Sequence, residues 1–372
     1  CWGGADVSRN MLARLVALCV ILLGLSVGSF FFTPYRAFSE NENRYLQTTP
    51  ELTADNVLSG KFMTEVENYT SDQILLRDFW TGARSALQRL EGRQDISGTY
   101  LGADGRYFAK VTDDTFNWDN YQKNLAAVET FFAANDGKRC TALIVPSPAG
   151  VLRDSLPEDA PYYDEDRAFA MLEEHLGTAF ADARQALAGV ADPYYHTDHH
   201  WTTAGAQAAY GLWAEATGHT ARSYAPVQAT DRFRGTLYSK VLLPDSVYDQ
   251  VDYCPDITIE SADCDGTVTD SLYDLAALEK KDKYELFLGG NYAKAVLRTG
   301  VENGKHLLLV KDSFANSLVP FLCGDYETIT MVDLRYCREK IQPLADEADD
   351  VLVLYEITNF AADGNLFKLN LK

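Results

Sequence analysis

The sequence predicts an α/β protein built on a central, mostly parallel sheet and preceded by one transmembrane helix. Three observations carry that prediction. Strand-like and helix-like segments alternate through the second half of the chain, as they do where a parallel sheet is covered on both faces. Thr141–Val145 and Leu307–Val310 are compact apolar runs, the pattern of strands buried on both sides. Leu15–Phe32 reads LVALCVILLGLSVGSFFF, eighteen residues without a charge, close to the length of one bilayer crossing.

Taken in order, Arg9 and Arg14 precede the apolar run, and a positive flank places that end in the cytoplasm. No small-residue cleavage pattern stands clearly after Phe32, so an anchor is expected rather than a removed signal peptide. Residues 1–14 are then a short cytoplasmic N-terminus, 15–33 the anchor and 34–96 a membrane-proximal helical segment. In that segment Phe62, Val66, Ile74, Leu75, Phe79, Leu87 and Leu90 give a helical pattern between Lys61 and Arg93. Residues 97–372 form the α/β domain.

In that domain Asp104-Gly105 separates two short β-type runs, a hairpin signal. A helix is expected from Trp118 to Asn135 and a strand from Thr141 to Pro146. Helices follow at Glu165–Leu187 and Ala204–Ala216, with a short strand near Tyr194 between them. After that the pattern is strand Leu307–Val310, helix Ala315–Leu322, strand Glu327–Val332, helix Cys337–Ala345 and strand Val351–Tyr355. The polar, Asp- and Tyr-rich stretch at about 223–298 breaks this rhythm and reads as an insertion carrying loops beside the site.

A net charge of −21 spread along the chain repels phosphate backbones, so nucleic acid is an unsuitable partner. Of seven cysteines, Cys1 and Cys19 lie at or before the anchor, leaving five beyond it, an odd number. Cys254 and Cys264 flank a polar turn and are spaced for a local disulfide in an oxidising compartment, while no spacing resembles a zinc site.

The chemistry centres on Tyr195-His196-Thr197-Asp198-His199-His200-Trp201 and Val310-Lys311-Asp312-Ser313-Phe314. In an extended segment residues two apart share a side, so Asp198 and His200 face one way and His199 the other. Asp198 can fix the His200 tautomer while the other imidazole nitrogen takes a serine proton. Thr202 and Thr203 can cap the following helix. Ser313 stands where an apolar strand meets a helix, the edge at which open α/β sheets place ligands. The backbone N–H of Ser313 or Phe314 is then available to an oxyanion. Taken singly, the histidine segment also fits a polar turn and Ser313 an ordinary helix cap. A metal site drawn from His196, Asp198, His199 and His200 is a further alternative. No cofactor is implied.

The strings Asp198-His199-His200-Trp201, Lys311-Asp312-Ser313-Phe314-Ala315-Asn316-Ser317 and Asp333-Leu334-Arg335-Tyr336 resemble the DHHW family of bacterial envelope proteins, itself similar to the SGNH hydrolase-like alginate O-acetyltransferases. Glu42-Asn43-Arg44, Gly60-Lys61-Phe62 and Val145-Pro146 fit the same pattern. The resemblance implies an SGNH-hydrolase-like three-layer fold, with Ser313 as nucleophile, His200 as base and Asp198 as its orienter. Lys311-Asp312-Ser313 replaces the Gly-Asp-Ser of ordinary relatives. Asn291, Asn316 and Asn359 are candidates for the oxyanion donor, and Arg335 for a substrate carboxylate or a structural carbonyl.

What the resemblance implies about activity is O-acetylation of an exported polysaccharide outside the cytoplasmic membrane. A glycan would be the acceptor and a multi-pass membrane acyltransferase the acetyl donor. Acetyl ester hydrolysis is the close variant. The rival reading is a catalytically inactive glycan-binding or scaffold protein of a polysaccharide modification complex, using tyrosine and tryptophan faces on sugar rings.

Overall fold

The computed structural model describes residues 3–32 and 35–371. Helix α1 spans Gly3–Phe32. Residue 33, the last of the expected anchor, lies outside the described residues, as do several side chains within the apolar run. Among the described residues no helix is long and apolar enough to cross a membrane.

The chain divides into two compact units, residues 1–92 with 241–244, and 93–240 with 245–372. In the first, the single helix expected from Lys61 to Arg93 is two, α2 at Lys61–Asp72 and α3 at Arg77–Leu90. No glycine or proline marks the break. Leu76 takes a left-handed conformation at φ 58° there, and the ionic groups beside it explain why the chain turns. The Arg44 guanidinium donates to both Asp72 oxygens, and Glu42 accepts from Arg44 Nε at 2.8 Å and Arg77 Nε at 2.6 Å.

The second unit holds a seven-stranded sheet. Its strands in chain order are β1 (Arg139–Val145), β2 (Ile259–Cys264), β3 (Thr267–Thr269), β4 (Lys294–Thr299), β5 (His306–Lys311), β6 (Thr328–Val332) and β7 (Asp350–Glu356). They lie side by side as β3-β2-β4-β6-β5-β7-β1. The pairings β6·β5, β5·β7 and β7·β1 are parallel, whereas β4·β6, β2·β4 and β3·β2 are antiparallel. The sheet is therefore mixed rather than mostly parallel. The stretch read as an inserted loop region supplies β2, β3 and most of β4.

Alternation along the strands makes three layers, because successive side chains point to opposite faces. Leu307, Leu309, Leu352 and Leu354 pack with α6 (Thr203–Thr217) and α7 (Ala315–Leu322). Leu308, Val310, Val351 and Val353 face the opposite way, toward α4 (Trp118–Ala134), α5 (Glu165–Leu176) and α8 (Ile341–Glu347). Both faces are dry, which is why these strands read as continuous apolar runs. The expected hairpin is present, with Thr99–Leu101 paired to Tyr107–Ala109. The helix expected through Leu187 stops at Leu176, where Gly177 at φ 52° ends it. Cys254 and Cys264 are buried free thiols, so the proposed disulfide is not formed.

Candidate active site

The histidine segment is a loop held from both ends. Tyr194 and Trp201 pair as an antiparallel bridge, and Thr202 starts α6 by accepting from the Gly205 N–H at 3.2 Å. Between them Asp249 clamps the backbone, accepting from the N–H groups of His196 at 2.6 Å and Thr197 at 2.9 Å.

Within it the Asp198 carboxylate is fully engaged. Oδ1 accepts from the His200 N–H at 3.0 Å and faces His200 Nδ1 at 2.6 Å. Oδ2 accepts from Thr236 N–H at 2.7 Å and Thr236 Oγ1 at 3.0 Å. Gly235 makes room for this: a Cβ there would lie 2.2 Å from Asp198 Oδ2. Burial opposes the charge on Asp198, yet His199, His200 and the Thr236 N–H outweigh it and hold the carboxyl well below the usual range.

The opposite nitrogen, His200 Nε2, stands 2.8 Å from Ser313 Oγ. With a carboxylate at Nδ1, the ring proton is assigned there and Nε2 is the acceptor for the serine hydroxyl. Two further contacts fix this geometry. The Tyr284 ring stacks on the imidazole at 3.7 Å between centroids and 7° between planes, and its hydroxyl donates to the Ser313 carbonyl at 3.1 Å. The buried Trp201 indole N–H reaches the Phe314 carbonyl at 2.9 Å and Ser317 Oγ at 2.8 Å, joining the two motifs directly.

Ser313 follows β5 and precedes α7. Asp312 fixes the turn, accepting from Phe314 N–H at 2.9 Å, Glu356 N–H at 2.9 Å and Asn359 Nδ2 at 2.8 Å. The Phe314 N–H is thus committed to Asp312, which leaves the Ser313 N–H as the backbone donor of the two for an oxyanion. Two of the three asparagine amides donate elsewhere. Asn359 donates to Asp312, Asn316 Nδ2 donates to the Gly290 carbonyl at 3.2 Å, and the Asn291 and Asn316 oxygens hold the buried Lys311 ammonium at 3.0 and 2.6 Å. Burial lowers Lys311 to about 8. Arg335 chelates the fully buried Asp333, with Nε at 2.9 Å and Nη2 at 2.6 Å, so it offsets a buried carboxylate rather than holding a carbonyl.

His199 does not face away as the alternation rule suggested. Its ring lies 3.9 Å from that of His200, and its Nδ1 is 2.7 Å from Thr236 Oγ1, because the loop is a turn and not an extended strand. Asp198, His199 and His200 each offer a metal-type donor within 4.8 Å of the others. His200, however, engages Asp198 with one nitrogen and Ser313 with the other, which leaves it no nitrogen for an ion. Sequence reasoning missed Gly235, Thr236, Asp249 and Tyr284. All four lie in the stretch taken for an insertion, and only the glycine's place two residues after Phe233 in a polar run hinted at a close approach.

The fold and this constellation define the class: a three-layer α/β protein with a serine, a histidine and an aspartate in line at the C-terminal end of its sheet. Residues 189–332 match the DHHW protein family. The fold is similar to that of a DHHW family protein from Eubacterium siraeum, at 20% identity over 74% of this chain and 95% of that one, with a TM-score of 0.61. It is also similar to Bacillus cereus PatB1 with a sulfonyl adduct, at 20% identity over 74% of this chain and all of that one (100%), with a TM-score of 0.62. A second PatB1 structure gives 21% identity, coverage of 72% and 98%, and a TM-score of 0.60. No curated protein matches the sequence.

Proposed function

We propose that this protein is a serine-dependent O-acetyltransferase acting on a cell-envelope or exported polysaccharide, anchored through the apolar run Leu15–Phe32 of its sequence with the α/β unit outside the cytoplasm. The observation that carries the reading is the line Asp198 Oδ1, His200, Ser313 Oγ, with contacts of 2.6 and 2.8 Å. Its resemblance to SGNH-like alginate O-acetyltransferases supports the choice of acetyl and glycan.

In this mechanism Ser313 Oγ attacks the acetyl carbonyl as its proton passes to His200 Nε2. Asp198 stabilises the imidazolium, and the Ser313 N–H faces the developing oxyanion. Collapse expels the donor alcohol, which takes the proton from Nε2 and leaves acetyl-Ser313. A sugar hydroxyl then attacks, giving its proton to Nε2. The ester transfers to the sugar, and Ser313 regains its hydrogen. A water molecule in place of the sugar gives the hydrolase variant. A multi-pass membrane acyltransferase is the proposed acetyl donor.

The test is turnover of an aryl acetate, together with covalent labelling by a fluorophosphonate. A sulfonyl fluoride is a second probe, since PatB1 has been obtained with a sulfonyl adduct. Wild type should be labelled and release chromophore, and Ser313→Ala and His200→Ala should lose both. Turnover unchanged in Ser313→Ala would overturn the proposal, and an unlabelled wild type without turnover would favour a glycan-binding role.

A further inference from the structure

Beside the triad lies a cavity of about 280 Å³, toward the small end of ligand pockets and suited to a single ring. Its wall shares His199 and Thr236 with the Asp198 network, and Glu356 and Asn359 with the Asp312 turn. Ala109, Val111, Pro148, Ala149 and Leu237 give it an apolar side.

Three acceptors are left over in that wall, which Lys240 also lines with a cationic donor. Glu356 is buried, and three donors converge on its Oε2: Thr358 N–H at 2.9 Å, Thr358 Oγ1 at 2.6 Å and Asn359 N–H at 2.9 Å. Its Oε1 meets no donor among the described residues. Asn359 spends its amide N–H on Asp312, which leaves its Oδ1 free in the same sense.

His199 adds a third acceptor by elimination. The single Thr236 hydroxyl hydrogen goes to Asp198 Oδ2, so the hydrogen between His199 Nδ1 and Thr236 Oγ1 belongs to the imidazole. Burial and the neighbouring His200 lower His199 to about 4. The ring is therefore neutral at pH 7, and its Nε2 accepts.

We propose that this cavity is a subsite for one polyhydroxylated ring of the acceptor glycan, with sugar hydroxyls meeting Glu356 Oε1, His199 Nε2 and Asn359 Oδ1 while ring C–H groups lie on the apolar side. Burial raises Glu356 to about 8 despite its three donors. Below that pH Oε1 carries a hydrogen and above it none, and a hydroxyl, which both donates and accepts, suits either state. This inference rests on the proposed glycan acceptor and places one of its rings.

Glu356→Gln separates the subsite from the fold. A glutamine oxygen can keep the three donors at the Oε2 position, and above pH 8, where the wild-type Oε1 carries no hydrogen, its NH2 replaces the acceptor in the cavity. Titration of the full chain in detergent at pH 9 with methyl β-D-glucopyranoside, followed by saturation-transfer NMR, reads binding without chemistry. Saturable binding is expected in wild type and in Ser313→Ala, with about tenfold loss in Glu356→Gln, the effect of one hydrogen bond. Val111→Trp, which fills the cavity from a half-exposed position, should abolish it. No saturable binding in wild type, or undiminished binding in both variants, overturns the subsite. If Ser313 turns over an aryl acetate but no sugar binds, the subsite alone fails. If the sugar binds as described and Ser313 is inert, the subsite stands and acetyl transfer fails.

Discussion

Replacing Asp198 by asparagine removes one charge and almost no volume, and the hydrogen bonds around that side chain dictate the result. Each carboxylate oxygen accepts from backbone N–H: Oδ1 from His200 at 3.0 Å and Oδ2 from Thr236 at 2.7 Å. An amide NH2 at either position meets a donor head-on. Placed toward Oδ1, it also forces His200 to accept at Nδ1, so that Nε2 carries the hydrogen and faces Ser313 Oγ as a donor. Placed toward Oδ2, it leaves the tautomer correct but supplies no charge for the imidazolium. The analogous change in a serine protease triad lowers kcat by about 10⁴-fold, about 5.5 kcal/mol of barrier. We therefore expect kcat for an aryl acetate to fall by about 10³- to 10⁴-fold. The unpaired buried donor should cost about 1–3 kcal/mol of stability. Stopped-flow chromophore release measures the first and denaturant unfolding the second. A loss of less than about tenfold in a folded Asp198→Asn protein would falsify the assignment of Asp198 as the group that orients His200.

Gly235→Ala should abolish turnover without touching any triad residue, because the new Cβ would sit 2.2 Å from Asp198 Oδ2; full activity in that variant would show that the Asp198 contacts are not needed. Tyr284→Phe keeps the stack on His200 and loses only hydroxyl bonds, about 1 kcal/mol of stability. Tyr284→Ala removes the wall beside the imidazole and should lower kcat by at least about tenfold, and equal kcat in the two variants would refute the positioning role. The raised Glu356 binds a proton in the folded protein between the ordinary value of 4.5 and about 8. Its contribution to stability is therefore full below 4.5 and is lost as pH rises toward 8. Denaturant unfolding across that window should show a downward slope in wild type that Glu356→Gln lacks.

The parts of the site legible in the sequence were those with short-range signatures. Apolar runs announced β1, β5 and β7, since burial on both faces leaves no polar residue to obscure them. Asp198, His200 and Ser313 could be named because their chemistry needs those residue types, and the structure brings them into line. What escaped was set by long-range contacts. The strands β2, β3 and β4 alternate polar and apolar residues on the antiparallel side of the sheet, and Val268 and both threonines of β3 are exposed, so they carry no continuous apolar signal. Asn291 and Asn316 read as oxyanion candidates and Arg335 as a ligand for a substrate carboxylate or a structural carbonyl, whereas the structure sets the two asparagine oxygens on Lys311 and the guanidinium on Asp333, because sequence does not reveal which buried charges need partners. His199 was misplaced because a turn, not a strand, carries it.

The indole bridge from Trp201 to Phe314 and Ser317 spans 113 and 116 residues of chain. Base and nucleophile thus meet across one of the long-range closures of the second unit, and such closures form late relative to local helices and hairpins. Recovery of turnover during refolding is then a clock for the last packing event, when α6 settles against α7. It should lag the recovery of helical signal. Turnover would report on the finished molecule alone, and partly folded chains, however helical, would be silent.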